Sequence, residues 1–321
     1  MRRRLVALPL AAVLLVGTAA CGDETADSGE VSTGSGGVTV TGDPGTAPEV
    51  EVDEDFDVSE TDSETLVTGD GAAVEADGSA LMNLVIYNGS TGDQVFSSYD
   101  EGGKPELVTL TEGKFLDALV EPLTGATEGS RVLVTSTVEE GIGADGASQI
   151  GLEADQDVIF VIDVLAVAQQ PEGDAADLPE GLPAIEEDED GKVTGIDFTD
   201  AAKEPSDELV VETVIEGDGT EITKGATVAV NYYGVVYGED KPFDESYSRG
   251  PASFPVGTGG LIQGWDEGLI GVKAGSRVLM VVPADKGYGE KGSPPNIPAN
   301  ATLVFVIDVL AVAPAEAGAA E

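Results

Sequence analysis

The chain contains no histidine and a single cysteine among its 321 residues. The absence of histidine excludes Ser-His-Asp and Cys-His catalysis and removes the usual ligand of most zinc sites. A single cysteine, Cys21, excludes a disulfide bond within the chain. The function therefore has to work without imidazole chemistry, and the sequence implies no metal and no other cofactor.

Positive charge is also scarce, with 15 Lys and Arg residues against 61 Asp and Glu residues and a formal net charge of -46. Such a surface repels phosphate backbones and anionic lipid headgroups, so we expect no nucleic-acid partner. The acidity is typical of a solvated, soluble surface, with adaptation to a saline exterior as the alternative. Clusters such as Glu186–Asp190 lack the glycine-pivoted spacing of a calcium loop and are interpreted as solvated.

The N-terminus has the pattern of a signal peptide over residues 1–20. Three arginines precede an apolar run, Leu5–Val16, that is shorter than the roughly 20 residues needed to span a bilayer. Thr18–Cys21 resembles a bacterial lipobox, in which Cys21 is lipidated; the alternative is an ordinary secretory signal with a chance cysteine. We therefore expect an extracytoplasmic protein held at the outer face of the cell membrane by its N-terminal lipid only. Residues 21–48, rich in Gly, Ser, Thr and acid, are predicted to form a flexible tether.

The rest of the chain contains an internal repeat. Ile159–Ala168 reads IFVIDVLAVA and Val304–Ala313 reads VFVIDVLAVA, and the sequence GSRVL occurs at 129–133 and again at 275–279. The predicted organisation is a first domain at 49–168, a linker at 169–177, a second domain at 178–313 and a disordered tail at 314–321.

Each repeat is predicted to be mostly β-strand with one short helix. The strands are indicated by β-branched runs that alternate or are bounded by Gly, Pro and Asp. Ile262, Trp265 and Leu269 recur at helical spacing, and Gly271 supplies a C-terminal stop. This pattern predicts an α+β fold in which an antiparallel sheet wraps around the helix.

The second repeat resembles FKBP-type peptidyl-prolyl cis-trans isomerases. The motifs NYYG, PFDES, FPVG, LIQGWDEGL, GSRV, YGEKG and IPANATLVFVIDVL occur in the family's order across about 207–313. The resemblance implies two FKBP-like domains, each a sheet of five or six antiparallel strands around one short helix. It also implies proline-containing segments of folding proteins as substrates, macrolides as possible inhibitors, and a monomer.

The family's site maps onto this sequence residue by residue. By resemblance, the Ile262 backbone N–H and the Tyr288 hydroxyl bind substrate carbonyls, while Asp244, held by Tyr232 and Arg249, faces the amide that twists. The remaining substrate-binding residues would line an aromatic cup; they are Phe243, Phe254, Leu261, Trp265, Ile297 and Phe305.

The residue types suit this reaction on physical grounds. Rotation about an X–Pro bond is slow because amide resonance is lost at the perpendicular geometry, with a barrier of about 18–20 kcal/mol. No bond breaks, so a site needs only to bind the twisted amide more tightly than the planar one. A dry cup of aromatic side chains with a few polar groups meets that requirement.

The first repeat keeps the frame but loses parts of the cup. Alignment by sequence places Leu119 opposite Trp265, Ser97 opposite Asp244 and Ile142 opposite Tyr288. The same alignment retains several cup residues, namely Tyr87, Phe96, Phe115, Leu116 and Phe160. We interpret this domain as a degenerate one, serving as a spacer or as a weak binding module; retained catalysis is the alternative.

The sequence as a whole predicts an isomerase that assists folding outside the cytoplasm. A non-catalytic chaperone or peptide-binding module that uses the same cup is the alternative. A solute-binding lipoprotein would require a larger, two-lobed α/β chain, which the strand-rich repeats do not support.

Overall fold

The structure, a computed structural model, describes residues 31–33 and 36–315. The expected signal peptide, Cys21, the first part of the expected tether and most of the expected tail lie outside the described residues. In chain order, the elements of the first half are β1 (Val31–Thr33), β2 (Val38–Thr41), β3 (Glu49–Val52), β4 (Asp62–Val67), β5 (Ser79–Asn88), β6 (Gln94–Ser97), β7 (Glu106–Thr109), α1 (Asp117–Leu123), β8 (Arg131–Thr137), α2 (Val138–Gly141), α3 (Gly143–Gln149) and β9 (Asp157–Val167).

The second half follows the same plan. Its elements are β10 (Ala184–Glu187), β11 (Val193–Asp197), β12 (Val210–Ile215), β13 (Thr227–Val236), β14 (Pro242–Glu245), β15 (Ala252–Pro255), α4 (Gln263–Gly268), β16 (Arg277–Val282), two short 3₁₀ helices (Ala284–Lys286 and Gly289–Lys291) and β17 (Leu303–Ala313). Within the described ranges, no helix has the length and apolar character needed to cross a bilayer.

Two six-stranded antiparallel sheets with the same strand order form the body of the protein. The orders are β4-β8-β9-β5-β6, with β7 also on β5, and β12-β16-β17-β13-β14, with β15 also on β13. Each sheet packs against the predicted helix, α1 or α4, which is the predicted class of fold; in the first repeat the short helix α2 also contacts β8 and β9. The first repeat adds α2 and α3 where the second has its two 3₁₀ helices.

The central strands of each sheet are buried on both faces. All eleven residues of β17 and all six of β16 are buried. On the concave face, alternate residues of β16 pack against Trp265 and Leu269 of the helix region. On the convex face, the intervening residues need a second cover, because an apolar sheet face is stable only when it is shielded from water.

That second cover is a small sheet at the N-terminal end of each repeat. In the first repeat, Val38 and Val40 of β2 pack against Tyr87 and Leu133 of the convex face. In the second repeat, the β10–β11 hairpin covers the corresponding face. Residues 38–48 therefore belong to this small sheet and its loop, where a flexible tether was expected. The Val-Thr-Val-Thr alternation of β2 buries one apolar face of the strand, a pattern that is hard to recognise in a Gly- and acid-rich stretch.

A buried arginine connects each small sheet to its large one. Arg131 donates hydrogen bonds to both carboxylate oxygens of Asp163, at 2.6 Å each. Its guanidinium also donates to the carbonyl oxygens of Gly42 and Thr46, at 2.7 Å each. The counterpart Arg277 pairs with Asp308 and with Glu187 of β10, and donates to the Gly191 carbonyl. The guanidinium is compensated in both cases, which a buried charge requires.

The two repeats contact each other through equivalent surfaces. A shared apolar cluster contains Leu81 of β5 and its equivalent Ala229 of β13, together with the C-terminal ends of β9 and β17. The Gln169 N–H donates to the Leu310 carbonyl at 2.8 Å across this boundary. Strands β7 and β15, equivalent in the two sheets, also lie in contact there.

Candidate functional site

The site in the second repeat is centred on Trp265, which lies on the concave face of the sheet. Its helix α4 approaches β16 closely because Gly264 and Gly268 face that strand. A Cβ atom on Gly264 would lie 2.5 Å from the Val282 side chain, and one on Gly268 would lie 2.5 Å from Met280. This approach places the indole among the sheet's own aromatic residues, with only 5% of its surface exposed.

Three aromatic rings pack against the indole, and a fourth packs against one of those three. The ring centroids of Phe305, Tyr232 and Phe254 lie 5.4, 5.5 and 5.8 Å from that of Trp265, and all three rings are close to perpendicular to it. Phe243 packs edge-on against Phe305 at 5.6 Å. Edge-to-face geometry at this spacing is the favourable arrangement of aromatic pairs. The indole Nε1 is buried and has no hydrogen-bond partner among the described residues.

A glycine makes room for two of these rings. A Cβ atom on Gly234 of β13 would lie 2.8 Å from the Phe243 ring and 2.9 Å from the Phe305 ring. Gly234 was not among the predicted site residues, although a glycine inside a strand often marks such a close approach.

Three polar side chains stand at the rim of the cup. The Tyr232 hydroxyl donates to Asp244 Oδ2 at 2.5 Å, while the Arg249 guanidinium donates to Asp244 Oδ1 at 2.5 Å and to the Tyr232 oxygen at 2.8 Å. Asp244 and Arg249 are about half exposed, so their ion pair contributes about 0–1 kcal/mol to stability. The network therefore fixes the position of the carboxylate more than it stabilises the fold.

Burial and the hydrogen bond to Asp244 raise the pKa of Tyr232 to about 12. The phenol is consequently neutral at physiological pH and acts as a hydrogen-bond donor. This protonation state is the one required to hold Asp244 in place.

The entrance to α4 supplies a backbone donor. Ile262 is the N-cap residue of α4, and its N–H has no acceptor among the described residues. Asp266 of the same helix accepts hydrogen bonds from the Gly257 and Gly259 N–H groups at 2.7 and 2.8 Å, which fixes the loop leading to Leu261 and Ile262. This role of Asp266 was not predicted; its only signal in the sequence is an acidic residue in the first turn of a helix.

The opposite side of the cup comes from the segment between β16 and β17. Ile297 is buried in the core cluster, whereas Tyr288 is 41% exposed. Lys286 forms an ion pair with Glu267 of α4, and this hydrogen bond lowers the pKa of Glu267. The ion pair joins the segment that carries Tyr288 to the helix that carries Trp265.

The structure brings most of the sequence-predicted residues together. Eight of them belong to one apolar cluster, and Asp244 and Arg249 join it through Tyr232. Tyr288 lies outside that cluster, on the exposed segment that borders it. The eight are Tyr232, Phe243, Phe254, Leu261, Ile262, Trp265, Ile297 and Phe305.

Strand register corrects the alignment of the first repeat. Gly234 pairs with Asp244 and Phe305, and Ile86 pairs with Phe96 and Phe160, so Phe96 occupies the position of Asp244. Leu84 likewise takes the position of Tyr232. The sequence alignment matched the two Tyr-x-Gly motifs and so placed Tyr87 opposite Tyr232, three residues from the position that the register gives. An odd shift turns a strand residue to the opposite face, and Tyr87 indeed packs under the small N-terminal sheet.

The comparisons with known proteins agree with this architecture. A family model described as FKBP-type peptidyl-prolyl cis-trans isomerase matches residues 81–165 and 219–310, more than half of the chain. The chain belongs to the FKBP-type peptidyl-prolyl cis-trans isomerase family.

Individual relatives align with about one third of the chain. An FK506-binding protein of Streptomyces anulatus is 40% identical over 111 residues, which are 34% of this chain and 90% of that protein. Peptidyl-prolyl cis-trans isomerase FKBP15-2 of Arabidopsis thaliana is 44% identical over 99 residues, 30% of this chain and 60% of that one. FkpA of Escherichia coli K12 is 43% identical over 114 residues, 35% of this chain and 41% of FkpA. The chain thus spans less than two thirds of the last two relatives.

Proposed function

We propose that the second repeat is the isomerase centre of this chain and that it acts on proline-containing segments of proteins folding outside the cytoplasm. The observation that carries the proposal is the cup itself, in which perpendicular rings around Trp265 meet an oriented carboxylate at the rim. The first repeat has no counterpart of this combination, because Leu84 and Phe96 replace Tyr232 and Asp244.

Catalysis would proceed by preferential binding of the twisted amide. The proline ring enters the cup above Trp265, where water is excluded and the dielectric is low. In the twisted state the carbonyl loses its resonance partner and the prolyl nitrogen gains electron density. A geometry that favours this state over both planar isomers lowers the barrier in both directions.

The polar groups around the cup orient the substrate. In this proposal the Ile262 N–H and the Tyr288 hydroxyl donate to substrate carbonyls, and Asp244 faces the amide that twists. Tyr232 and Arg249 each donate to a different oxygen of Asp244, so both oxygens keep fixed positions. One such polar contact made only in the twisted state contributes about 3–4 kcal/mol at most.

The test is a proline-peptide isomerisation assay on the purified chain. We expect acceleration by the wild type and a fall of about a hundredfold or more in kcat/KM for the double variant Tyr288→Phe, Asp244→Ala. The matched control is Ile142→Ala, which alters the counterpart of Tyr288 in the first repeat and leaves activity unchanged. Peptide binding without any acceleration by the wild type would instead favour the non-catalytic binding module.

We also propose that residues 1–21 direct the chain out of the cytoplasm and that Cys21 carries a lipid. The support is the basic and apolar N-terminal sequence followed by a cysteine that has no disulfide partner in the chain. A Cys21→Ser variant should move from the membrane fraction to the medium. Release of the wild type itself, with an unmodified Cys21 by mass spectrometry, would contradict the anchor.

A further inference from the structure

The first repeat contains an apolar groove at the position of the second repeat's cup. Its volume is about 380 Å³, and it lies between α1 and strands β5, β6 and β7. Phe96 stands at its edge with 37% of its surface exposed, one of the few large apolar side chains exposed to this extent among the described residues. The groove is open rather than filled by the chain's own side chains.

At the positions that form the cup in the second repeat, the groove has aliphatic or aromatic residues in place of the polar ones. Leu84, Phe96 and Val108 occupy the register positions of Tyr232, Asp244 and Phe254. Leu119 replaces Trp265 at the third residue after the helix N-cap. A surface of this composition lacks the counterpart of the Asp244 carboxylate, but it can bury an aliphatic or aromatic side chain.

The segment of the chain that supplies most of the groove is acidic. Glu106 and Lys114 line the groove directly. The surrounding segment 96–124 contains six carboxylates against two lysines, within a chain of formal net charge -46. The carboxylates are Asp100, Glu101, Glu106, Glu112, Asp117 and Glu121, and the lysines are Lys104 and Lys114. Charge complementarity therefore favours an occupant whose apolar side chains are flanked by Lys or Arg.

The groove and the cup lie on the two strands that meet at the boundary between the repeats. Strand β7 lines the groove, and its equivalent β15 carries Phe254 of the cup. The two strands are in contact, and the apolar cluster beneath them joins the repeats through equivalent positions. One extended polypeptide bound at the cup therefore has its neighbouring residues close to the groove.

We propose that the groove of the first repeat binds apolar, basic-flanked segments of the same unfolded chains whose prolines isomerise in the second repeat. The groove would hold the unfolded chain while its X–Pro bonds bind in turn at the cup. This tethering raises the effective concentration of those bonds at the cup. The second half of this proposal rests on the proposed function; the binding of the segment does not.

The experiment compares two substrates on the full chain. One is a proline tetrapeptide, too short to reach the groove, and the other is a reduced, carboxymethylated protein whose refolding is limited by prolyl isomerisation. For Phe96→Gln we expect KM for the protein substrate to rise about tenfold, while kcat/KM for the tetrapeptide stays at the wild-type value. Phe115→Ala serves as the second groove variant, and Ile270→Gln, which alters a comparably exposed side chain in the second repeat, is the control.

A binding assay separates this proposal from the proposed function. Two proline-free peptides share a Leu/Phe core and differ in their flanks, lysines in one and glutamates in the other. Binding of the lysine peptide to the wild type, weakened by Phe96→Gln and by salt, supports the groove even where the tetrapeptide assay shows no turnover. Equal binding by wild type and both groove variants, or unchanged KM for the protein substrate, overturns the proposal.

Two other occupants would also overturn it. If Phe96→Gln converts a dimer to a monomer in sedimentation analysis, the groove is filled by a second copy of the chain. If removal of residues 1–30 or 316–321 raises the affinity for the lysine peptide, a terminal segment of the chain competes for the groove.

Discussion

The substitution Trp265→Leu turns the floor of the cup into that of the first repeat, where Leu119 occupies the same position. In the wild type the indole makes edge-to-face contacts with three rings, at centroid distances of 5.4 to 5.8 Å. Leucine keeps an apolar side chain at the site but removes all three ring contacts and most of the flat surface on which a proline would rest.

The expected loss of stability is moderate. Each ring pair contributes about 0.5–1.5 kcal/mol beyond the buried area, and the smaller side chain leaves unfilled volume. One effect acts in the other direction: the indole Nε1 is buried without a partner among the described residues, an arrangement that costs about 1–3 kcal/mol. We therefore expect a net decrease of about 2 kcal/mol in the free energy of unfolding.

The expected loss of activity is larger than the loss of stability can explain. We expect kcat/KM on a proline tetrapeptide to fall about 10- to 100-fold at a temperature where the variant is fully folded. Denaturant unfolding followed by far-UV circular dichroism gives the stability change. The control is Leu119→Ala, which lowers stability by about 2–5 kcal/mol in the other repeat and leaves peptide activity unchanged. A folded Trp265→Leu variant with wild-type kcat/KM would refute the role of the indole.

Three further outcomes follow from the same contacts. Activity on the tetrapeptide should be constant between about pH 6 and 9, because the chain has no histidine and the pKa of Tyr232 is raised to about 12. The stabilisation that protonated Tyr232 contributes to the fold is complete below the unfolded-state pKa of about 10 and is lost only as pH rises towards 12. A decline with a midpoint near pH 7 would contradict this. Arg131→Met should lower the stability of the first repeat by about 3–5 kcal/mol, as measured by circular dichroism, because it leaves the buried Asp163 carboxylate without its cationic partner. Trp265 fluorescence, which reports on the second repeat, should quench or shift when a proline peptide binds the wild type; an unchanged spectrum at saturating peptide would contradict binding at the cup.

The fold and most of the cup were predictable from the sequence because the signals were local and repeated. The β-branched runs bounded by turn residues indicated the long strands, and the spacing of Ile262, Trp265 and Leu269 indicated α4, the helix that packs on the second sheet. The order of the motifs then gave the residues around the indole. The ring angles and the contact between β7 and β15 depend on tertiary packing and leave no comparable pattern in the sequence.

The missed features have identifiable physical reasons. The sequence predicts a tether where β2 lies because only Val38 and Val40 of this strand are buried, too few to stand out in a Gly- and acid-rich stretch. The register of β5 was misjudged because identical letters, Tyr-x-Gly, were matched in place of the strand's inward face. Asn83 and Asn231 mark the correct register, since each accepts a hydrogen bond from the serine that follows the next strand.

Both repeats keep the residues that stabilise the sheet, but only the second keeps the residues of the cup. The difference follows from burial, because the first set is buried and the polar residues of the second set are partly exposed. The buried Arg–Asp pair occurs in both repeats, and in each a tyrosine, Tyr99 or Tyr247, donates to the aspartate. Removing any member of that network leaves a buried charge or polar group unpaired, at a cost the fold has to bear. Asp244, by contrast, stands at a half-exposed rim, where replacement by an apolar residue such as Phe96 leaves no unpaired buried charge. The rim can therefore change from an amide-twisting site to an apolar groove while the sheet and helix beneath it remain intact.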